Sequence, residues 1–220
     1  GLLLRPHVPG GEIEDAPPKR AERLVKRALA QPGFGEAYYA AILERLSAEP
    51  KLASRLARLW KSLAGSPAMR AHALRVKGLH ERIQGNWVAS AEAFQQAGAI
   101  AKTRADRALF QLGAIDSLGR AGRFEAAEAL ARKLVPQLRR AGLLNDAARV
   151  CVNAGNAALW QDDYLRASRW FDKAESLVSD APYTLASAAL GASTCALHLG
   201  AFDKAQSEAQ RSAELLDGLH

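Results

Sequence analysis

Aromatic residues are scarce, at 6% of 220 residues, so the core must be built mainly from alanine and leucine. That favours helices packed at close range over a β-sandwich, which relies on rings and β-branched side chains. Cysteine is scarcer still. Cys151 and Cys195 stand far apart in apolar helical surroundings, too sparse for a disulfide framework or a clustered metal site. Both read as buried small hydrophobes in a reducing, cytoplasmic setting. No apolar run approaches the ~18 residues that cross a bilayer, and "LLL" at 2–4 is too short for a signal peptide. A glycine-rich phosphate loop, HExxH and CxxC are all missing. The five histidines are scattered, and His72 and His80 lie beyond the reach of a shared metal on one helix. No serine sits in a nucleophile elbow. "DD" at 162–163 reads as a turn with N-cap character rather than a catalytic carboxylate pair. The expectation is a protein with no catalytic residue, no cofactor and no metal, and not an enzyme.

Charge is present but uneven. The formal net charge is +7, yet residues 19–86 carry 14 Lys or Arg against 5 Asp or Glu, whereas residues 87–220 carry 15 of each. In "KLASRLARLWKS", Lys51, Arg55 and Arg58 fall at i, i+4 and i+7 on one stripe. This stripe is either a solvated face or a contact for an acidic protein partner. Nucleic acid is the less favoured partner, because no aromatics are interleaved for base stacking.

Residues 1–18, with four prolines and the pair Gly10–Gly11, read as an extended or disordered leader. From Lys19 onward nearly every segment has helical spacing, and no sustained alternation of Val, Ile or Thr predicts a strand. Breaks at Gln31–Gly35, Glu49–Pro50, Gly65–Pro67, Gly85–Asn86, Gly119–Gly122, Gly142–Leu144, Asp162–Asp163, Asp180–Pro182 and Gly200 divide the helices. They are expected to alternate between tight turns within helix pairs and looser links between pairs. Starting at Gly1 rather than methionine, the chain reads as a fragment of a larger protein.

A repeat organises these helices. The turns "GNW" at 85–87, "GRF" at 122–124, "DDY" at 162–164 and "GAF" at 200–202 recur at spacings of 37, 40 and 38 residues. Three residues after each aromatic comes a small residue (Ser90, Ala127, Ala167, Ala205), and four further on come Phe94, Ala131, Phe171 and Ala209. The preceding helices carry small residues of their own, such as Gly78, Gly155 and Ser193. A lone helical hairpin cannot bury its apolar face, so like hairpins stack and share a core. Small residues let helix axes approach to about 8–10 Å, and the aromatics fill the gaps. Trp87, Phe94, Leu130, Tyr164, Phe171 and Phe202 are the expected large core residues.

This pattern resembles the tetratricopeptide repeat, a helical hairpin of about 34 residues. Residues 148–182 carry the likeness through Gly155, Tyr164, Ala167, Phe171 and Ala174, and residues 71–104 through Gly78, Trp87, Ser90, Phe94 and Ala97. The unit at 108–141 departs from it, with Gly113 where the pattern expects the glycine at Ile115. The resemblance implies an all-α, right-handed α-solenoid of stacked antiparallel helical hairpins. One domain would span 19–220, with a lead helix at 19–31 and hairpins starting near 36, 71, 108, 148 and 186.

The resemblance also places exposed positions of the first helices in a concave groove: Arg75 and Arg82, Asp116 and Arg120, Arg149, Asn153, Asn156 and Trp160, then Thr194 and His198. Asparagine has poor propensity inside a helix, so Asn153 and Asn156 serve either a ligand backbone or a hydrogen bond to a neighbouring hairpin. Trp160 is either a groove anchor or packing for an adjacent repeat. The carboxylate clamp that holds chaperone tails does not fit, with Leu79 at an asparagine position and Gly191 at a basic one. The function expected is a protein-interaction scaffold within a larger bacterial signalling or regulatory protein, binding an acidic peptide or partner domain. Association of copies through the repeat ends is a further expectation. The rival is a nucleic-acid-binding helical repeat using 19–86.

Overall fold

A computed structural model describes residues 48–63 and 65–218, together with Arg20, Arg23, Ile42 and Leu46. The expected leader at 1–18, most of the lead helix, the hairpin start near 36, and His220 lie outside the described residues. Among those described, every regular element is an α-helix, and within each compact unit helices pack pairwise on their neighbours in sequence, in the manner of helical repeats. The chain divides into two compact units, residues 1–107 and 108–220.

In the first unit, α1 (Pro50–Leu63), α2 (Pro67–Ile83) and α3 (Trp87–Ile100) pack in succession. Helix α1 turns Ala53, Leu56, Ala57 and Trp60 inward at helical spacing and leaves Lys51, Arg55 and Arg58 exposed. Ser66 caps α2, its hydroxyl accepting from the Met69 amide at 3.2 Å, and Pro67 occupies the first turn, where its missing N–H is not needed. In the pair α2–α3, Phe94 lies over Gly78, and the buried Ser90 hydroxyl donates to the Gly78 carbonyl at 2.8 Å. Helix α4 (Arg104–Arg120) begins at the end of this unit and continues into the next.

The second unit contains α5 (Phe124–Arg140), α6 (Leu144–Leu159), α7 (Tyr164–Glu175), α8 (Pro182–His198) and α9 (Phe202–Asp217). Each of these packs on the next, and α8 also reaches back to α6, so hairpin lies on hairpin. The interface turns on Phe171. A Cβ at Gly155 of α6 would come within 2.7 Å of its ring and one at Gly191 of α8 within 2.2 Å, so the ring occupies space that two glycines vacate. Cys151 and Cys195, both free, pack in the same core, as read from the sequence.

Five turns share one construction. Gly85, Gly122, Gly142 and Gly200 have φ of +73° to +77°, and Asp162 takes the same left-handed place at +57°. After each, an amide reaches back five residues to the end of the finished helix: Asn86 to Glu81 O, Arg123 to Leu118 O, Leu143 to Leu138 O, Asp163 to Ala158 O and Ala201 to Ala196 O, all within 2.8–3.1 Å. This is the Schellman closure, which satisfies carbonyls that a helix end leaves open.

Several expectations need correction. Tight turns do not simply alternate with looser links, because Gly142 joins one pair to the next with the same closure used inside pairs. The break before α4 was not anticipated, although Thr103 marks it by accepting from the Asp106 amide at 3.0 Å and donating to the Asp106 carboxylate. The helices open at 67, 104, 144 and 182, four residues ahead of the expected starts, with Ser66–Pro67, Thr103 and Pro182 among the start signals. Of the expected large core residues, Phe94 and Phe171 are buried, whereas Trp87, Leu130 and Tyr164 are half-buried and Phe202 is 68% exposed. The role falls instead to Trp60, Phe110 and Ile115.

Candidate partner-binding surface

Helix α6 shows how a surface is left over from packing. Ala147, Ala148, Val150, Cys151, Val152, Ala154, Gly155, Ala157 and Ala158 are buried, so the helix is gripped on most sides. Arg149, Asn153, Asn156 and Trp160 escape, at offsets of 4, 3 and 4 that keep them on one stripe. Trp160, at 39% exposure, closes the helix as its C-cap.

Neighbours hold most of this stripe in place. The Arg120 guanidinium lies 4.7 Å from the Trp160 ring centroid, a cation–π pair, while Arg120 Nε meets Asp116 Oδ1 at 3.3 Å. The ring's other support is α4 itself, where a Cβ at Gly119 would fall 2.7 Å from it. Asn153 donates from Nδ2 to the Leu112 carbonyl at 3.2 Å, tying α6 to α4. Arg149 pairs with Asp146 at 3.3 Å, one turn away. Asn156 makes no side-chain hydrogen bond and keeps its amide available.

The remaining predicted site residues lie elsewhere. His198, exposed at the end of α8, stacks on the Tyr164 ring with centroids 4.2 Å apart. The Tyr164 hydroxyl donates to Asp162 at 2.7 Å, and that bond raises the phenol above its ordinary pKa. Thr194, half-buried, bonds the Leu190 carbonyl of its own helix. Arg75 and Arg82 belong to the first unit, both half-buried, with Arg82 placed 5.1 Å from the Phe94 ring centroid.

Sequence reasoning missed a second feature, an open basic cleft between α5 and α7 lined by Glu128, Arg132, Arg166, Arg169, Trp170 and Lys173. Glu128 organises it. Its carboxylate accepts from Arg132 Nη2 at 3.0 Å and from the Trp170 indole N–H at 3.2 Å, and lies 3.6 Å from Arg166 Nη1. Lys173 sits over the Trp170 ring at 5.1 Å. The i, i+4 pair Glu128–Arg132 and the spacing of Arg166, Arg169 and Lys173 were readable, but the zero net charge of residues 87–220 concealed their clustering.

Burial pushes the Cys151 thiol from an ordinary 9.0 up to about 12 and that of Cys195 to about 11, which keeps both protonated and unreactive. Among the described residues no group of three His, Cys, Asp or Glu could hold a metal ion, and no helix is long and apolar enough to cross a membrane.

The chain is similar in fold to BtubC (BKLC) from P. vanneervenii. The match has a TM-score of 0.70 and covers 91% of this chain and 89% of that one, at 16% identity. At that identity the likeness is one of fold alone, a helical-repeat architecture. No family model and no curated protein matches the sequence.

Proposed function

We propose that the chain is a non-catalytic protein-interaction scaffold whose hairpins are of the tetratricopeptide type and whose first-helix face takes an extended peptide or partner segment. Support for the hairpin type is the packing of Phe94 on Gly78 and of Phe171 on Gly155, large on small at equivalent positions of two pairs. The observation that carries the binding role is Trp160. A tryptophan left 39% exposed, seated on α4 and faced by Arg120, is an aromatic anchor already fixed in place. Binding to a fixed ring forfeits little side-chain entropy, and such residues dominate interface energies. Asn156 beside it supplies a free amide for a ligand backbone, and Arg149 a charge for an acidic residue. A bacterial, cytoplasmic signalling or regulatory assembly is the setting this reading fits.

A displayed library of random peptides tests it. Wild-type protein should select a family of sequences enriched in Asp or Glu, and Trp160→Ala should lose those binders by tenfold or more, about 1.4 kcal/mol or above. Asn156→Ala should weaken them less and leave the unfolding midpoint unchanged. Selection of peptides whose binding survives Trp160→Ala would move the site elsewhere.

The second reading, nucleic acid on the basic first unit, draws on the exposed stripe of Lys51, Arg55 and Arg58. Trp60, the one aromatic in that helix, is buried and offers no base a stacking surface. Should an RNA or DNA probe bind, the affinity must fall steeply with salt.

A further inference from the structure

The basic cleft between α5 and α7 holds more positive charge than its own carboxylates neutralise. Arg166, Arg169 and Lys173 fall at i, i+3 and i+7 on one stripe of α7, and Arg132 of α5 lines the same space. Two carboxylates answer these four cations. Glu128 takes Arg132 at 3.0 Å and lies 3.6 Å from Arg166, which Asp163 holds more closely at 3.0 Å. The acids of α7 itself are engaged elsewhere: Glu175 pairs with Arg211 of α9 at 2.9 Å, and Asp172 does not line the cleft. Among the described residues, Arg169 makes neither an ion pair nor a hydrogen bond, and Lys173, over the Trp170 ring, has no carboxylate partner. Two cations are left over, one helical turn apart on one wall.

The walls are fixed before any ligand arrives. Helices α5 and α7 both pack on α6, and Glu128 spans the gap between them by accepting from the buried Trp170 indole N–H at 3.2 Å. That bond joins residues 42 positions apart and sets the spacing of the two cationic walls. Charges carried on a fixed frame cost a ligand less ordering than charges on a mobile one. The space between the walls is about 470 Å³ and opens to solvent.

The charge left over defines the ligand. A carboxylate brings one negative charge and would leave one of the two cations unanswered. A phosphomonoester brings about two at neutral pH, with three acceptor oxygens. A guanidinium fork matches phosphate oxygens in pairs, and an ammonium adds a point charge. Sites for free small molecules enclose most of the ligand, which an open cleft does not do, so the group belongs on a chain that can make further contacts along α5 and α7. A short phosphorylated side chain needs no apolar slot for a ring, and the cleft provides none. Nucleic acid would want a ring to stack on, and Trp170, 7% exposed beneath Lys173, does not offer one. We propose that this cleft binds a phosphorylated serine or threonine of a partner protein, with Arg169 and Lys173 taking the phosphoryl oxygens.

Degenerate peptide arrays with one fixed position, occupied by phosphoserine, serine or glutamate, test this on the full chain. The phosphoserine set should yield binders, each weakened by about tenfold or more when serine or glutamate takes that place. Arg169→Ala and Lys173→Ala should each weaken the same binders by about tenfold or more with an unchanged circular dichroism spectrum. Arg169→Lys, which keeps the charge and loses the fork, should recover only part of the loss. Lys133→Ala removes an exposed charge of α5 outside the cleft and should leave binding unchanged. In a nitrogen-resolved NMR spectrum the Trp170 indole N–H should move on addition of a binder while that of Trp160 stays, each signal assigned from its phenylalanine variant. Inorganic phosphate should displace the peptide only in large excess. The proposal is overturned by phosphate that binds as tightly as the peptide, by glutamate as good as phosphoserine, or by binding indifferent to Arg169 and Lys173. An equal loss in Lys133→Ala, a Trp170 signal that does not move, or a single-stranded RNA that uses these residues where no phosphopeptide does would overturn it as well. None of these outcomes depends on peptide binding at Trp160.

Discussion

Among the described residues, four glycines inside helices meet an aromatic ring, and the closeness of each approach ranks what an added methyl group would do. Replacing helical glycine by alanine gains about 1 kcal/mol of propensity, while overpacking costs about 1–3 kcal/mol. At Gly191 the new carbon would stand 2.2–2.6 Å from the fully buried Phe171 ring, so overpacking outweighs the propensity gain and Gly191→Ala should destabilise by up to about 2 kcal/mol net. Gly155→Ala, at 2.7 Å from the same ring, should be milder. At Gly119 the new carbon would stand 2.7 Å from the Trp160 ring and 2.9 Å from the buried Ala157 Cβ, so Gly119→Ala should destabilise about as much as Gly155→Ala. Urea midpoints give the order, and an unharmed Gly191→Ala would mean that Phe171 is not locked. The sequence showed small residues facing large ones at Gly78–Phe94 and Gly155–Phe171 because both partners recur at fixed spacing. It did not show Gly191 as the second wall around Phe171, since that contact lies between hairpins, where the 37–40-residue period is irregular. Asn153 illustrates the same limit. Its two readings were open in the sequence, and the bond to Leu112 O, 41 residues away, makes it a tie between helices.

At the scale of elements, the chain is punctuated by left-handed residues rather than by loops. Space does not explain the glycines at 122 and 142, because a Cβ would meet nothing within 4 Å at either. Their backbone conformation does, at about 1–2 kcal/mol for a residue with a side chain. Gly142→Ala should therefore lose about 1–2 kcal/mol with no steric neighbour to blame. At Asp162 the same relief on substitution by glycine is offset by loss of the exposed bond from Tyr164, so Asp162→Gly should move the melt little. Thermal melts should show Gly142→Ala clearly lowered, and an unchanged Gly142→Ala would refute the conformational account. Helices and glycine turns were legible because each has a local signal. The start of α4 was overlooked although Thr103 and Asp106 form a local cap, and the basic cleft was overlooked because Glu128 and Trp170 lie 42 residues apart. Phe202 was misplaced in the core for a third reason. Its position in the repeat is the one that His198 of α8 covers at Tyr164, and among the described residues no ring covers it at Phe202.

At the scale of the whole molecule, stability in stacked hairpins is a sum of neighbour interfaces, and the element with the fewest neighbours opens first. In the second unit that element is α9. It rests on α8, and of its residues only Ala205 and Ser212 are buried, against nine in α6. The Ser212 hydroxyl bond to the Ala186 carbonyl at 2.9 Å and the Arg211–Glu175 pair at 2.9 Å are its main polar ties. Amide hydrogen exchange should therefore run faster along α9 than along α6. If α9 proves as protected as α6 in dilute solution, the account of this unit as a sum of neighbour interfaces fails.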